Sequence, residues 1–146
     1  MTPMSTVAPA TPAAAGSSLT GAAQATTKAH PELAGKFDGI AIRVPVPVGS
    51  LVDVTFISSR NTSVEEINDA FKKAAADPRW KNIFTATSEP LVSSDIIGSR
   101  VGSIADLSFT RVVDGNLVKV FAWYDNETSY TQTLVEHVAA AARTIR

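Results

Sequence analysis

Cysteine is missing from all 146 residues, which removes disulfides, thiolate metal sites and a cysteine nucleophile from this stretch together. Histidine is nearly missing: His30 and His137 lie far apart in sequence, and neither has metal-ligand spacing or a nucleophile beside it. Charge of one sign is missing too. Thirteen Lys and Arg stand against 14 Asp and Glu, with no basic run and no basic patch interleaved with aromatics, so nucleic acid is not an expected partner. No segment approaches the ~18 consecutive apolar residues of a membrane helix. The N-terminus has neither the charged start and apolar centre of a secretory signal nor the Arg-rich pattern of an organelle peptide. No membrane partner and a cytoplasmic location are therefore the expectations.

What is present suits one domain. At 45% hydrophobic, a chain of this length can bury roughly two-thirds of its unfolded surface. Residues 1–16, MTPMSTVAPATPAAAG, are small and polar, with nothing to anchor a core, and read as a mobile leader. Order is expected over residues 17–146.

The most informative stretch is 107–130, LSFTRVVDGNLVKVFAWYDNETSY. Two β-forming runs flank Asp114-Gly115-Asn116, and Asp-Gly tolerates the positive φ that tight hairpin turns demand. On the second strand Leu117, Lys119, Phe121 and Trp123 alternate with Val118, Val120, Ala122 and Tyr124, two largely apolar sets, so the strand is expected to be covered on both faces. The corner Tyr124-Asp125-Asn126-Glu127 then breaks the apolar run. Polar groups at a strand end are a frequent seat of ligand chemistry.

Earlier in the chain, Ser17, Ser18 and Thr20 precede Ala22 and Ala23 and are N-cap candidates for a helix over 20–29 that stops at Pro31. Thr20-Gly21 at a helix start also suits an anion, although the local pattern favours a simple cap. Residues 37–44 and 50–57 alternate and are rich in Val and Ile, predicting two strands, the first closed by Pro45 and Pro47 and the second following a Val48-Gly49-Ser50 turn, with a hairpin between them. Arg43 and Asp53 inside them read as solvated charges. Ser63-Val64-Glu65-Glu66 has the spacing of a capping box, and Val64, Ile67, Ala70, Phe71 and Ala74 make one apolar stripe on a helix over 63–76, ended by Asp77-Pro78. A short strand over 82–87 follows. Glu89 and Asp95, with no histidine to join them, read as loop caps. The last helix is expected over about 127–144, with Leu134, Val135 and Val138 on its apolar face. The predicted architecture is α+β: a largely antiparallel or mixed sheet from 37–44, 50–57, 82–87, 107–113 and 117–124, with helices 20–29 and 63–76 packed on one face.

The runs Thr20-Gly21-Ala22-Ala23, Pro31-Glu32-Leu33, Arg43-Val44-Pro45-Val46-Pro47, Glu89-Pro90-Leu91-Val92-Ser93-Ser94-Asp95 and Trp123-Tyr124-Asp125-Asn126-Glu127, in this order and spacing, resemble glyceraldehyde-3-phosphate dehydrogenase. The resemblance covers roughly residues 17–138 and reaches only the C-terminal part of that family's catalytic domain. It implies that Thr20, Gly21 and Arg43 hold phosphate and that Asn126 faces the nicotinamide amide of NAD. These are suitable groups: helix-start N–H donors and a guanidinium for phosphate, an amide for a carboxamide. It further implies a phosphorylating aldehyde oxidation through a thiohemiacetal on a cysteine, hydride transfer to NAD and phosphorolysis. The NAD-binding domain, the cysteine and its histidine are not in these residues. At Thr128-Ser129 the chain departs from the Trp-Gly that many members carry.

Three expectations follow from different classes. The chain is a fragment of such an enzyme, not competent alone, with NAD bound weakly or not at all; or a non-catalytic assembly module pairing with full-length subunits; or an isolated domain binding inorganic phosphate or glyceraldehyde 3-phosphate weakly. An incomplete sheet predicts an exposed edge and association, as a homo-oligomer or with complementary subunits. In the family the final helix packs on the cofactor domain, so Leu134, Val135 and Val138 are expected either to fold back on this domain's sheet or to stay exposed.

Overall fold

The computed structural model describes residues 16–19 and 21–145, which fall into two compact units, Met1–Val46 and Pro47–Arg146. In the first, strand β1 (Gly16–Leu19) pairs antiparallel with β2 (Ile40–Arg43), Gly16 opposite Arg43 and Leu19 opposite Ile40. Helix α1 (Gly21–Ala29) lies between them in sequence, and a 3-10 turn at Pro31–Leu33 follows it. The helix ends where expected, because Pro31 has no N–H to continue it. The expected leader, 1–16, lies outside the described residues save for Gly16, which opens β1.

Two expectations fail in this unit. Residues 16–19 form a strand, whereas their hydroxyls suggested a helix entry; a four-residue strand with one large apolar side chain carries no alternation to read. The hairpin between 37–44 and 50–57 does not form. The first of these strands shrinks to Ile40–Arg43 and takes β1 as partner, while the second is engaged elsewhere. Pro45 and Pro47, which lack donors, separate the two.

The second unit is a five-stranded mixed sheet. β3 (Ser50–Ile57) runs antiparallel to β7 (Leu117–Tyr124) over its whole length, β7 continues to β5 (Ser103–Asp106), and β5 pairs in parallel with β4 (Phe84–Thr87). The short β6 (Arg111–Val113) also pairs with β7. Together with helix α2 (Val64–Ala76) and helix α3 (Thr128–Ala142) this is an α+β fold with a mixed sheet. The register places Val118, Val120 and Ala105 on one sheet face, all buried, and Phe84 on that same face meets Phe71 of α2 at 5.8 Å between ring centroids. Helix α2 therefore covers the face that its apolar stripe predicts. Helix α1 belongs to the first unit.

The opposite face is only half covered, contrary to the expectation that both faces of β7 are buried. Lys119, Phe121 and Trp123 are half-buried, and Leu117, Leu51 and Ile57 are exposed. Here Lys119 Nζ reaches both carboxylate oxygens of Asp53, at 2.7 and 2.6 Å, and sits 5.2 Å from the Phe121 ring. Asp53 is exposed, as read, but paired across the strands.

The predicted hairpin is present, its first strand shortened. Asp114 and Gly115 have φ of 51° and 73°, and Asn116 N–H donates to Val113 O at 3.3 Å, a tight turn whose two central residues both have positive φ. A Cβ on Gly115 would stand 3.0 Å from the Asn61 side chain, so glycine is required there twice over. Residues 107–109 leave the expected strand as a 3-10 turn, because the Asp106 carboxylate accepts from Ser108 N–H at 3.1 Å and turns the backbone. The strand lost there is replaced by β5 just before it. At α2, Ser63 Oγ accepts from Glu66 N–H at 3.2 Å, half of the expected capping box; the Glu66 carboxylate bonds Arg60 and Thr62 instead.

Helix α3 buries only Ser129, and Leu134, Val135 and Val138 are exposed by 48%, 59% and 59%. Of the two expected fates of its apolar stripe, exposure is the one observed. Val118→Ala, removing two methyl groups from a fully buried site, is expected to cost roughly 2 kcal/mol, and Val135→Ala close to nothing, in urea unfolding. Equal losses would mean that the α3 stripe is packed in solution. Amide exchange at residues 134–138 is likewise expected to outpace that at 67–71.

Candidate functional site

Of the residues assigned to phosphate, Thr20 lies outside the described residues. Gly21 opens α1, is exposed, and has nothing within 4 Å of where a Cβ would stand. No acidic side chain occupies the first turn of α1, and Lys28 sits in its last, so no local carboxylate offsets the positive end of the helix dipole. Arg43 closes β2 with its side chain exposed, and no described residue pairs with its guanidinium. The register sets limits on how these groups meet. Gly21 follows the Leu19–Ile40 end of the ladder and Arg43 stands at the Gly16 end, three residues or about 10 Å of strand away. The ladder by itself does not bring them together.

Asn126 belongs to the second unit. Its Oδ1 accepts from Gly49 N–H at 3.0 Å, where the backbone turns with φ of 93°, and its Nδ2 has no partner among the described residues. The amide thus fixes a loop with its oxygen and presents its two N–H donors.

The corner that carries Asn126 is built on buried carboxylates whose roles the sequence did not disclose. Asp125, 1% exposed, accepts from Glu127 N–H and Thr128 N–H through Oδ1 and from Gly98 N–H through Oδ2, each at 2.8 Å. Two of these donors belong to the start of α3, and Ser129 Oγ bonds back to Asp125 O. One side chain therefore aims the helix and pins the Gly98 loop. Asp106, equally buried, accepts from Trp123 Nε1 at 3.0 Å and from Ser108 Oγ at 2.6 Å. Trp123 is in the motif already noted; Asp106, within Ile104-Ala105-Asp106-Leu107, looks like any loop acid until the sheet register places it beside the indole. Asp95 is the loop cap expected, accepting from Val92 N–H at 2.8 Å.

Beside this corner an open groove of about 400 Å³ is lined by Arg100, Glu127, Thr128, Thr131, Gln132 and Val135. Neither histidine lines it; the His30 imidazole meets the exposed Glu32 at 3.1 Å. Among the described residues no three His, Asp or Glu side chains gather to hold a metal ion.

The N–H bonds from Thr128, then Gly98 and Glu127, hold the Asp125 carboxyl below its ordinary value of 3.8. A depressed folded pKa means that the carboxylate's contribution is complete above the ordinary value and is withdrawn as pH falls through the lower folded one. Asp125→Asn is therefore expected to lower stability most near neutral pH and least in strong acid, read as midpoints of urea unfolding against pH. A difference that stays constant across that range would show that the charge is not what the corner uses.

Comparison with known proteins gives this geometry a family. Residues 5–126 match the sequence model of the glyceraldehyde 3-phosphate dehydrogenase C-terminal domain. The chain is 46% identical over 127 residues to a glyceraldehyde-3-phosphate dehydrogenase of Clostridium acetobutylicum, covering 85% of this chain and 36% of that one. Against the enzyme of Geobacillus stearothermophilus it is 47% identical over 123 residues, 84% of this chain and 36% of the relative; against that of Streptococcus pyogenes, 51% over 119 residues, 80% and 34%. It spans about a third of the length of these relatives. With the collinear motifs, the α+β sheet and the match over residues 5–126 in agreement, the chain belongs to the glyceraldehyde-3-phosphate dehydrogenase family and aligns with its C-terminal domain.

Proposed function

We propose that these residues are the C-terminal, catalytic-domain part of an NAD-dependent, phosphorylating glyceraldehyde-3-phosphate dehydrogenase of cytoplasmic glycolysis. The observation that carries this is the family match over residues 5–126, which contains Thr20, Gly21, Arg43 and Asn126. NAD, when bound, supplies the hydride acceptor. Asn126 suits its carboxamide: with Oδ1 held by Gly49, Nδ2 is the free end and can donate to a carbonyl oxygen. The groups that would seat a pyrophosphate are a different matter, since no glycine-rich strand-to-helix turn occurs in the 146 residues. This chain orients the nicotinamide end and leaves tight binding of the dinucleotide to another segment or subunit.

The phosphate role divides between two kinds of group. Thr20 and Gly21 offer a hydroxyl and helix-start N–H donors, and Arg43 offers a planar fork that matches phosphate oxygens. These are binding roles, and none of them calls for a nucleophile. With no cysteine here and, among the described residues, no histidine bonded to a hydroxyl, the attacking group and its base come from outside these residues.

The exposed stripe Leu134, Val135 and Val138 on α3 favours a second reading, in which the chain pairs with complementary or full-length subunits as an assembly module.

Purified chain, free of host enzyme, is expected not to reduce NAD with glyceraldehyde 3-phosphate and phosphate. Turnover that survives purification would overturn the proposal that the nucleophile lies elsewhere. Phosphate titration followed by NMR is expected to show weak binding that Arg43→Ala weakens by roughly ten- to a hundredfold, the worth of one charge-assisted bond. Binding unchanged by that substitution would exclude Arg43 from the site.

A further inference from the structure

The sequence contains two Asp-Gly dipeptides, Asp38-Gly39 and Asp114-Gly115, and the fold treats them in opposite ways. Asp38 is exposed, in a segment without regular structure between the 3-10 turn at Pro31–Leu33 and β2. Gly39 N–H points at its neighbour's own side chain, with Gly39 N 2.8 Å from Asp38 Oδ1. Because Cγ is one bond from Oδ1, the carboxyl carbon is held beside the backbone nitrogen that follows it. Glycine brings no side chain to obstruct an approach. At the second dipeptide, Asp114 makes no such contact. Gly115 is locked: its carbonyl accepts from Thr62 N–H at 2.8 Å, Asn116 N–H closes the turn on Val113 O at 3.3 Å, and the Asn61 side chain fills the space where a Cβ would be.

We propose that Asp38-Gly39 is a site of spontaneous isoaspartate formation in this chain, and that the folded hairpin protects Asp114-Gly115. Gly39 N attacks Cγ of the neutral Asp38 carboxyl, forming the N–Cγ bond. The Cγ–OH bond breaks, and the hydroxyl leaves as water with the amide proton, closing a five-membered imide. Water then adds to one of the two imide carbonyls. Addition at Cγ breaks N–Cγ and restores aspartate; addition at the α-carbonyl breaks the bond from that carbon to Gly39 N and leaves the main chain running through Cβ and Cγ, with a free α-carboxylate. One water leaves and one enters, so mass is unchanged and no oxidant or reductant is needed.

The consequence is local and structural. The rerouted main chain gains one methylene at residue 38, two residues before Ile40, which opposes Leu19 at the start of the β1–β2 ladder. A free α-carboxylate on such a linkage is also what an isoaspartyl carboxyl methyltransferase esterifies. The product therefore makes this chain a substrate for repair by that class of enzyme.

The test ages the full purified chain at mildly acidic pH, folded and in denaturant, and quantifies isoaspartyl peptides at both dipeptides by digestion and mass spectrometry. In the folded chain, conversion at residue 38 is expected to exceed that at residue 114 by at least about tenfold, since the Asp38 carboxyl already lies against the nitrogen that attacks it, while the Asp114 side chain makes no such contact and the backbone around Gly115 is fixed by the hairpin. In denaturant the two are expected to converge. Equal conversion in the folded chain, or faster conversion at residue 114, would overturn the proposal. A second readout is methyl acceptance from S-adenosylmethionine by aged chain: Asp38→Glu, which would have to close a six-membered ring, is expected to abolish most of it. Methyl acceptance undiminished in that variant would overturn the assignment to Asp38 whether or not the variant folds as the parent does.

Discussion

Three backbone N–H groups converge on the Asp125 carboxylate, and the second unit depends on that convergence. A buried carboxylate is costly unless its lone pairs are filled, and here donors from Gly98, Glu127 and Thr128 fill them. The same bonds do three tasks at once. They end β7, supply two of the orphan donors at the start of α3 with an acceptor, and tie down the loop that leads to β5. Asn126, next along the chain, inherits its position from this arrangement and adds its own tie to Gly49. The candidate nicotinamide contact is thus held by a residue that is itself out of reach of any ligand.

The sheet supplies the other half of the frame. β7 touches β3, β5 and β6, and its register decides which groups are buried and which are presented. The even positions Val118 and Val120 go under α2, and the odd positions face a half-covered surface on which Lys119 and Asp53 pair and Trp123 reaches Asp106. A slip of one residue would bury Lys119 in place of Val118 and send the indole away from its acceptor. Polar satisfaction and apolar burial therefore specify the same register, which is the consistency expected of a well-defined fold.

How much of this was legible depended on the range of the interactions. The Asp114-Gly115 turn, the Ser63 cap and the Asp77-Pro78 stop rest on groups within a few residues of one another, and all three are seen in the fold. Strand pairing rests on distant partners. Residues 50–57 look as ready to pair with 37–44 as with 117–124, and nothing local says that the long register with β7 wins; the same applies to residues 16–19, whose strand character comes from Ile40–Arg43 opposite them. Asp125 and Asn126 stood out through the motif around them. Asp106 did not, because its significance lies in being placed 3.0 Å from Trp123 Nε1 by a strand that itself was not foreseen.

The polar groups of this chain divide by whether their bonding capacity is spent. Among the described residues, no buried side-chain nitrogen or oxygen lacks a partner; Asp106, Thr110, Asp125 and Ser129 are all satisfied internally. Arg43 and the Asn126 amide nitrogen are exposed and have donors to spare. Recognition requires that second condition, since a donor already committed inside the fold must lose one bond to make another, while a solvated one exchanges water for ligand at little net cost. Unspent donors are common on any surface, however, and on their own would not single out these residues. What distinguishes Asn126 is that one end of its amide is anchored and the other is not: the anchored oxygen settles which way the N–H donors face before any ligand arrives, and ordering done in folding need not be done again in binding. Arg43 has no such anchor among the described residues, so in the proposed role its guanidinium would have to be ordered by the anion itself. The two candidate contacts, one in each unit, therefore differ in kind: Asn126 offers a preorganised amide, suited to an uncharged carboxamide, and Arg43 an adaptable cation, suited to an anion whose charge supplies the larger interaction that ordering a long side chain demands.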